Sequence, residues 1–105
     1  MSFQQLQQQN VSAPAAYTEY SVAIPPFVVN PTFSLRPSGT PANIFWYIAP
    51  SGSVSPGSAG NLPAVYGTIP ANGSRSIGGK CGGQTIYFQV DQANQTLEID
   101  YYGDT

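Results

Sequence analysis

Short segments in which every second residue is hydrophobic recur along this chain, and Pro, Gly or Asn separates one segment from the next. In residues 17–24, for example, Tyr20, Val22 and Ile24 alternate with smaller or more polar residues. Successive side chains of a β-strand point to opposite faces of the sheet, so this pattern predicts strands with one buried face. The strands are predicted at residues 17–24, 27–29, 32–35, 44–49, 62–69, 74–77, 84–90 and 96–102.

Two kinds of strand can be distinguished within this set. The segment at residues 44–49 reads IFWYIA and lacks polar alternation, so both of its faces should be covered. It is predicted to be a central strand, with Trp46 as a core residue. The segments at residues 27–29 and 32–35 are short and bounded by prolines. They are predicted to be edge strands, because proline cannot donate a hydrogen bond to a neighbouring strand.

The last two segments form the clearest predicted hairpin. A polar stretch at residues 91–95 connects residues 84–90 with residues 96–102, and both strands alternate in the same way. The two strands are therefore predicted to pair side by side with their apolar faces toward the core. Their inward-facing residues are predicted to be Ile86, Phe88, Val90, Leu97, Ile99 and Tyr101.

The positions of the prolines determine the predicted fold class. All ten prolines lie between Pro14 and Pro70, and each would remove a hydrogen-bond donor from a helix and clash with its preceding turn. About eight short strands without a helical stretch between them predict an all-β fold. We expect an antiparallel β-sandwich or a small jelly-roll-like barrel, with an extended N-terminal arm.

The predicted arm covers residues 1–16, which read MSFQQLQQQNVSAPAA, and the sandwich domain covers residues 17–105. The few large apolar residues of this segment bury too little surface to offset the cost of ordering its backbone, which predicts a flexible arm. Two interpretations remain open. The segment is either a frayed terminus or an arm that orders on a neighbouring subunit, with Phe3 and Leu6 on one side of a short helix.

Charged residues make up 8% of the chain and histidine is absent, whereas soluble domains usually contain about a quarter charged residues. Without histidine the chain cannot form a Ser-His-Asp or Cys-His arrangement, so no catalytic residue, cofactor or metal ligand is predicted. Arg36, Arg75 and Lys80 are too few for nucleic-acid binding. No apolar run reaches the roughly 20 residues of a membrane-spanning helix, so no membrane partner is predicted. Cys81 is the only cysteine, which excludes an internal disulfide and favours assembly in the cytosol.

Two local patterns have the residue types of chemical sites. Glu98 and Asp100 project from the same face of one predicted strand. They could form a catalytic carboxylate pair, but we expect them to form a solvated strand face. The sequence GGKCGG at residues 78–83 lacks the glycine and the Ser or Thr that complete a phosphate-binding loop. It is predicted to be a hairpin connection, and the role of Cys81 stays open.

The seven tyrosines exceed what a core with one Trp and five Phe should need. Tyrosine is favoured at protein interfaces and Lys, Glu and Asp are depleted there, which matches this composition. The alternative is that end caps and loops of the sandwich bury some of these rings. The interface candidates are Phe3, Leu6, Tyr17, Tyr47, Tyr66, Tyr87 and Tyr102.

Three segments resemble small all-β virion accessory proteins of bacteriophages, of the capsid decoration or cement type. They are NIFWYIA at residues 43–49 with the Gly- and Ser-rich loop that follows, IPANGSRSI at residues 69–77, and TIYFQV at residues 85–90. The resemblance covers about half of the chain and transfers no site residue. It implies a non-enzymatic structural protein that stabilises a phage head by protein-protein contacts. The implied partners are the major capsid protein or other virion subunits, and the implied state is a homo-oligomer in a virion assembled in the host cytoplasm.

Other functions remain open beside this one. Within the same class, the chain could be a tail or fibre component. A carbohydrate- or receptor-binding module would instead stack exposed tyrosines on sugar rings, and it predicts a compact aromatic patch. A carboxylate-based glycosidase would require Glu98 and another acid to face each other across a cleft.

Overall fold

Two four-stranded antiparallel sheets make up the computed structural model, which describes residues 4–26, 28–50, 55, 57–58, 60–76 and 82–104 and contains no helix in those ranges. Sheet I has the strand order β1-β8-β3-β6, and sheet II has the order β2-β7-β4-β5. The strands are β1 (Gln4–Ala13), β2 (Tyr20–Ala23), β3 (Val28–Leu35), β4 (Ile44–Pro50), β5 (Gly67–Ile69), β6 (Ser74–Ser76), β7 (Gln84–Val90) and β8 (Gln95–Asp104).

The chain crosses from one sheet to the other at every connection except that between β4 and β5. Eight antiparallel strands that alternate between two sheets in this way have the connectivity of a jelly roll. The predicted all-β sandwich is therefore confirmed, and the two sheets stay separate instead of closing into a barrel.

The core lies between the sheets and is built from alternate residues of the long strands. Phe88 and Val90 of sheet II and Leu97 and Ile99 of sheet I are almost completely inaccessible to solvent. The predicted inward orientation of these residues is confirmed. The central position of β4, between β7 and β5, is confirmed as well.

The predicted hairpin of the last two strands is wrong. β7 pairs with β2 and β4 in sheet II, whereas β8 pairs with β1 and β3 in sheet I. The connection therefore passes from sheet II to sheet I, and Asn94, with a φ of 59°, donates its backbone N–H to the Pro14 carbonyl at 3.1 Å. Strands that face each other across a core show the same alternation as strands that lie side by side, so the pattern could not separate the two arrangements.

The two predicted edge strands at residues 27–29 and 32–35 also need correction. They form one strand, β3, which lies inside sheet I between β8 and β6. The pairing of β3 with β8 shifts register between Val29 and Thr32, and the buried Pro31 lies in this irregularity. An irregular position does not require a backbone donor, which allows proline inside the sheet. Phe27 lies outside the described residues.

The segment predicted as an N-terminal arm contains strand β1. It pairs with β8 over ten positions, from Gln4 opposite Asp104 to Ala13 opposite Gln95. Ala13 is completely buried, and the Tyr101 hydroxyl donates to Gln9 Oε1 at 2.9 Å. Backbone hydrogen bonds to β8 supply the stabilisation that the glutamine side chains do not. The structure differs here from the expected short helix, since Leu6 belongs to β1; Phe3 lies outside the described residues.

Candidate functional site

A groove lies along sheet II where β5 leaves part of β4 uncovered. β5 pairs only with residues 44–46 of β4, from Ile44 opposite Ile69 to Trp46 opposite Gly67. β4 continues to Pro50, and over this stretch β7 is its only sheet neighbour among the described residues. The predicted strand at residues 62–69 is therefore too long, because only its last three residues are strand.

The chain before β5 bends at Ala64 and Val65 instead of continuing along β4. The bend leaves a groove of about 520 Å³ beside β4. None of the residues that line it carries a charge at neutral pH. They are Trp46, Tyr47, Ile48, Pro63, Ala64, Val65, Tyr66 and Gly67.

The rim of the groove presents large apolar side chains to solvent. Val65 is 84% exposed and Tyr66 is 45% exposed. Tyr66 packs edge-on against Phe45, with ring centroids 5.9 Å apart, so its ring is held against sheet II. An exposed aromatic ring with a fixed orientation is typical of a contact surface.

Trp46 forms the inner end of the groove. Its indole lies so close to Gly67 that a Cβ atom added there would overlap the ring at Nε1. The Arg75 guanidinium lies 5.4 Å from the ring centroid, a distance that permits a cation–π contact. Trp46 packs against the core as predicted, yet it is only partly buried, and Nε1 has no hydrogen-bond partner. The prediction of a core tryptophan is thus confirmed in part.

A cluster of hydrogen bonds holds the β4–β5 loop on the outer face of sheet II, and we call it the latch. The Tyr47 hydroxyl donates to Glu19 Oε2 at 2.5 Å, and Ser55 Oγ donates to the same oxygen at 2.9 Å. Gln89 Nε2 donates to the Tyr47 hydroxyl at 3.1 Å and to the Ser58 carbonyl at 2.9 Å. The latch therefore connects the loop to the start of β2, to β4 and to β7.

The latch buries polar groups that the sequence pattern would leave on the surface. Gln89 is completely buried, and its Oε1 has no hydrogen-bond partner. Burial, followed by the hydrogen bond to Glu19, raises the pKa of Tyr47 to about 12. A Cβ added to Gly57 would lie 2.9 Å from both the Tyr47 hydroxyl and Pro63 Cδ. Gly57 therefore packs between the Tyr47 hydroxyl of the latch and Pro63, which lines one wall of the groove.

The structure divides the predicted interface residues into distinct groups. Tyr66 lies on the groove, and Tyr17 is 53% exposed beside Val90, whose carbonyl accepts its backbone N–H. Tyr47 is only 3% exposed, because the loop covers it, so its prediction as an exposed interface residue is wrong. Tyr87 is partly buried and stacks on Tyr47 with centroids 5.8 Å apart.

The structure does not describe the side chains of the remaining interface candidates. Leu6 and Tyr102 lie opposite each other in β1 and β8. Their side chains, and the whole of Phe3, lie outside the described residues. Sequence reasoning did not identify Val65 or the latch residues Glu19 and Gln89. No local sequence pattern indicates these residues, because their contacts form only when the β4–β5 loop folds over sheet II.

The outer face of sheet I carries a second, polar depression of about 240 Å³, and no aromatic residue lines it. Glu98 Oε2 lies 3.3 Å from Arg36 Nε in an exposed ion pair, and Asp100 Oδ1 accepts from Gln8 Nε2 at 3.3 Å. Both carboxylates project from one face of β8. They do not face each other across a cleft as the acids of glycoside hydrolases do.

The described part of the chain has no group of three or more acidic, Cys or His side chains placed to hold a metal ion. It also has no helix long and apolar enough to cross a membrane. Comparisons with protein-family models, with curated proteins and with solved structures found no match to this chain.

Proposed function

We propose that this chain is a non-enzymatic structural protein of a bacteriophage virion, of the decoration or cement type, that stabilises the head by binding capsid subunits. The observation that carries the proposal is the uncharged groove of sheet II, whose rim exposes Val65 and Tyr66. A side chain as large and apolar as Val65 gains free energy when a protein partner removes it from water. Association as a homo-oligomer is part of the same proposal.

The rest of the molecule supports this function. The jelly-roll connectivity is shared by viral capsid and lectin domains, although one fold serves many functions. The chain carries eight charged residues among 105, three basic and five acidic. Interfaces are depleted in such residues at their centres, so large areas of this surface can be covered without burying unpaired charges.

A carbohydrate-binding module is supported less well by the same geometry. Sugar recognition combines an aromatic platform with polar groups that bind hydroxyls. Here the two features are separated. The polar depression with Glu98 and Asp100 lies on sheet I without an aromatic ring, and Tyr66 lies on sheet II among apolar side chains.

Co-sedimentation with phage heads tests the proposal. The purified chain is mixed with heads that lack decoration, and bound protein is measured against concentration. Replacing Val65 and Tyr66 together with Ser should weaken binding at least about tenfold, because the rim loses its apolar area. Tyr17→Asn is the comparison variant, since it removes a similarly exposed ring of another interface candidate outside the groove, and Asn tolerates the φ of 51° at this position.

The outcomes separate the function from the surface. Saturable binding of the wild-type chain with a selective loss in the Val65 and Tyr66 variant supports both. Equal losses in both variants support assembly through a wider surface than the groove. A wild-type chain that fails to bind heads at all contradicts the proposed function.

A further inference from the structure

Among the described residues, the groove contains an incomplete sheet edge. In the register of β4 and β5, Tyr66 and Val65 would lie opposite Tyr47 and Ile48 if β5 continued. The bend at Ala64 and Val65 moves the chain away from these positions. Backbone groups on an unpaired strand edge are ready to pair with another extended chain. The missing neighbour of β4 therefore has a defined place and a defined register.

The size of the groove limits what can occupy this place. Stable interfaces between two globular surfaces bury about 1,200 to 2,000 Å² in total, and eight residues around about 520 Å³ are too few for that. A narrow, extended segment fits such a groove, because each residue of a strand adds only about 3.3 Å in length. Strand addition to an exposed sheet edge is a common mode of peptide recognition.

The chemistry of the lining limits the occupant further. The groove offers no charged side chain to a Lys, Asp or Glu of the incoming segment, so apolar residues should face it. The described part of the chain does not offer a good segment. Of its edge strands, β1 and β6 are mainly polar, and β2 and β5 are only four and three residues long. A partner protein is therefore the better source.

We propose that the groove binds an extended, apolar segment of a capsid partner, which adds to sheet II as a strand beside residues 47–50 of β4. This inference rests on the proposed function and specifies its mode of contact. Main-chain hydrogen bonds to β4 supply part of the affinity, and apolar side chains of the segment pack on Ile48 and Val65. Gly57 packs between the latch and Pro63, which forms the opposite wall.

A peptide pair tests strand addition without any phage particle. The probe is a capped peptide of seven alternating Val and Thr residues, and its twin carries methyl groups on three consecutive central amide nitrogens. The methyl groups block both edges for hydrogen bonding and keep the apolar side chains. Binding is followed by NMR through the backbone amides of Tyr47, Ile48 and Ala49 and through their hydrogen exchange.

The inference expects a Kd of about 1 mM or tighter for the probe, at least about tenfold weaker binding of the twin, and slower exchange in β4. Ala64→Arg should weaken probe binding at least about tenfold by placing a charged side chain in the groove. Ala71→Arg is the matched control and should leave the affinity within about twofold, since Ala71 is exposed outside the groove.

Equal affinity of the probe and its N-methylated twin would overturn strand addition, because binding would then depend only on apolar side-chain contacts. Absence of binding up to several millimolar probe, or shifts confined to sheet I, would overturn it too. None of these results depends on phage heads, so a failure here is distinguishable from a failure of the proposed function, which co-sedimentation decides.

Discussion

Tyr47 illustrates how a residue on the outer face of a sheet becomes part of the interior. Alternation along β4 points it away from the main core, and the loop then covers it with Ser55 and Gly57. Its hydroxyl is satisfied by Glu19 and Gln89. Glu19 Oε2 accepts hydroxyl hydrogen bonds from both Tyr47 and Ser55, so one side chain connects strand β4 to the loop that covers it.

Two buried tyrosines predict how stability depends on alkaline pH. Burial raises the pKa of both Tyr47 and Tyr101 to about 12, whereas an unfolded tyrosine ionises near 10. The unfolded chain then releases these protons first, so the free energy of unfolding should fall as pH rises from about 10 to about 12. Urea unfolding at several pH values in this range measures the slope.

Single variants provide the control for this prediction. Tyr47→Phe and Tyr101→Phe should each make the decline less steep, because each removes one group whose pKa differs between the two states. An unchanged slope in both variants would contradict the assignment of the alkaline transition to these side chains.

At the scale of elements, truncation of the N-terminal segment tests whether β1 behaves as a strand of sheet I or as a loose arm. Deleting residues 1–13 should lower the melting temperature and promote association, because β8 would become an exposed edge and the buried Ala13 would be lost. Thermal melting and sedimentation velocity measure both effects. Replacing Gln8 and Asn10 with Ala is the control, since this variant keeps the backbone pairing. A truncated chain with the same melting temperature as the full chain would contradict the assignment of β1 as a strand.

The positions of most strands could be predicted from the sequence, whereas their assignment to sheets could not. β2, β4, β7 and β8 follow from alternation and from the apolar segment around Trp46. Alternation reports which residues face a core, but it does not report whether the facing strand is a neighbour or lies across the sandwich. For this reason β7 and β8 were predicted to pair, although they belong to different sheets.

The candidate site was less predictable than the fold, for a related reason. Tyr66 was identified because exposed tyrosine is typical of interfaces. The groove beside it depends on the bend at Ala64 and Val65. The burial of Tyr47 depends on the β4–β5 loop, whose polar sequence does not indicate that it covers an aromatic ring. Long-range contacts of this kind leave no local signal in one sequence.

For the whole molecule, the scarcity of charge predicts weak dependence of the proposed head binding on salt. The groove is uncharged, and the formal net charge of the chain is only −2. Salt screens charge–charge attraction but leaves apolar contact largely intact. Affinity for heads should therefore change less than about threefold between about 0.05 and 0.5 M NaCl. A steep loss of binding across this range would indicate an electrostatic contact elsewhere on the surface.

The place of β8 in sheet I has a consequence for how the molecule is made. β8 comes last among the described strands in chain order, yet it lies between β1 and β3 and is the neighbour of both. During synthesis, β1 must wait until residues 95–104 leave the ribosome before it can pair with β8. Pairing between strands so distant in sequence slows folding, and it leaves apolar residues of the earlier strands exposed until β8 arrives.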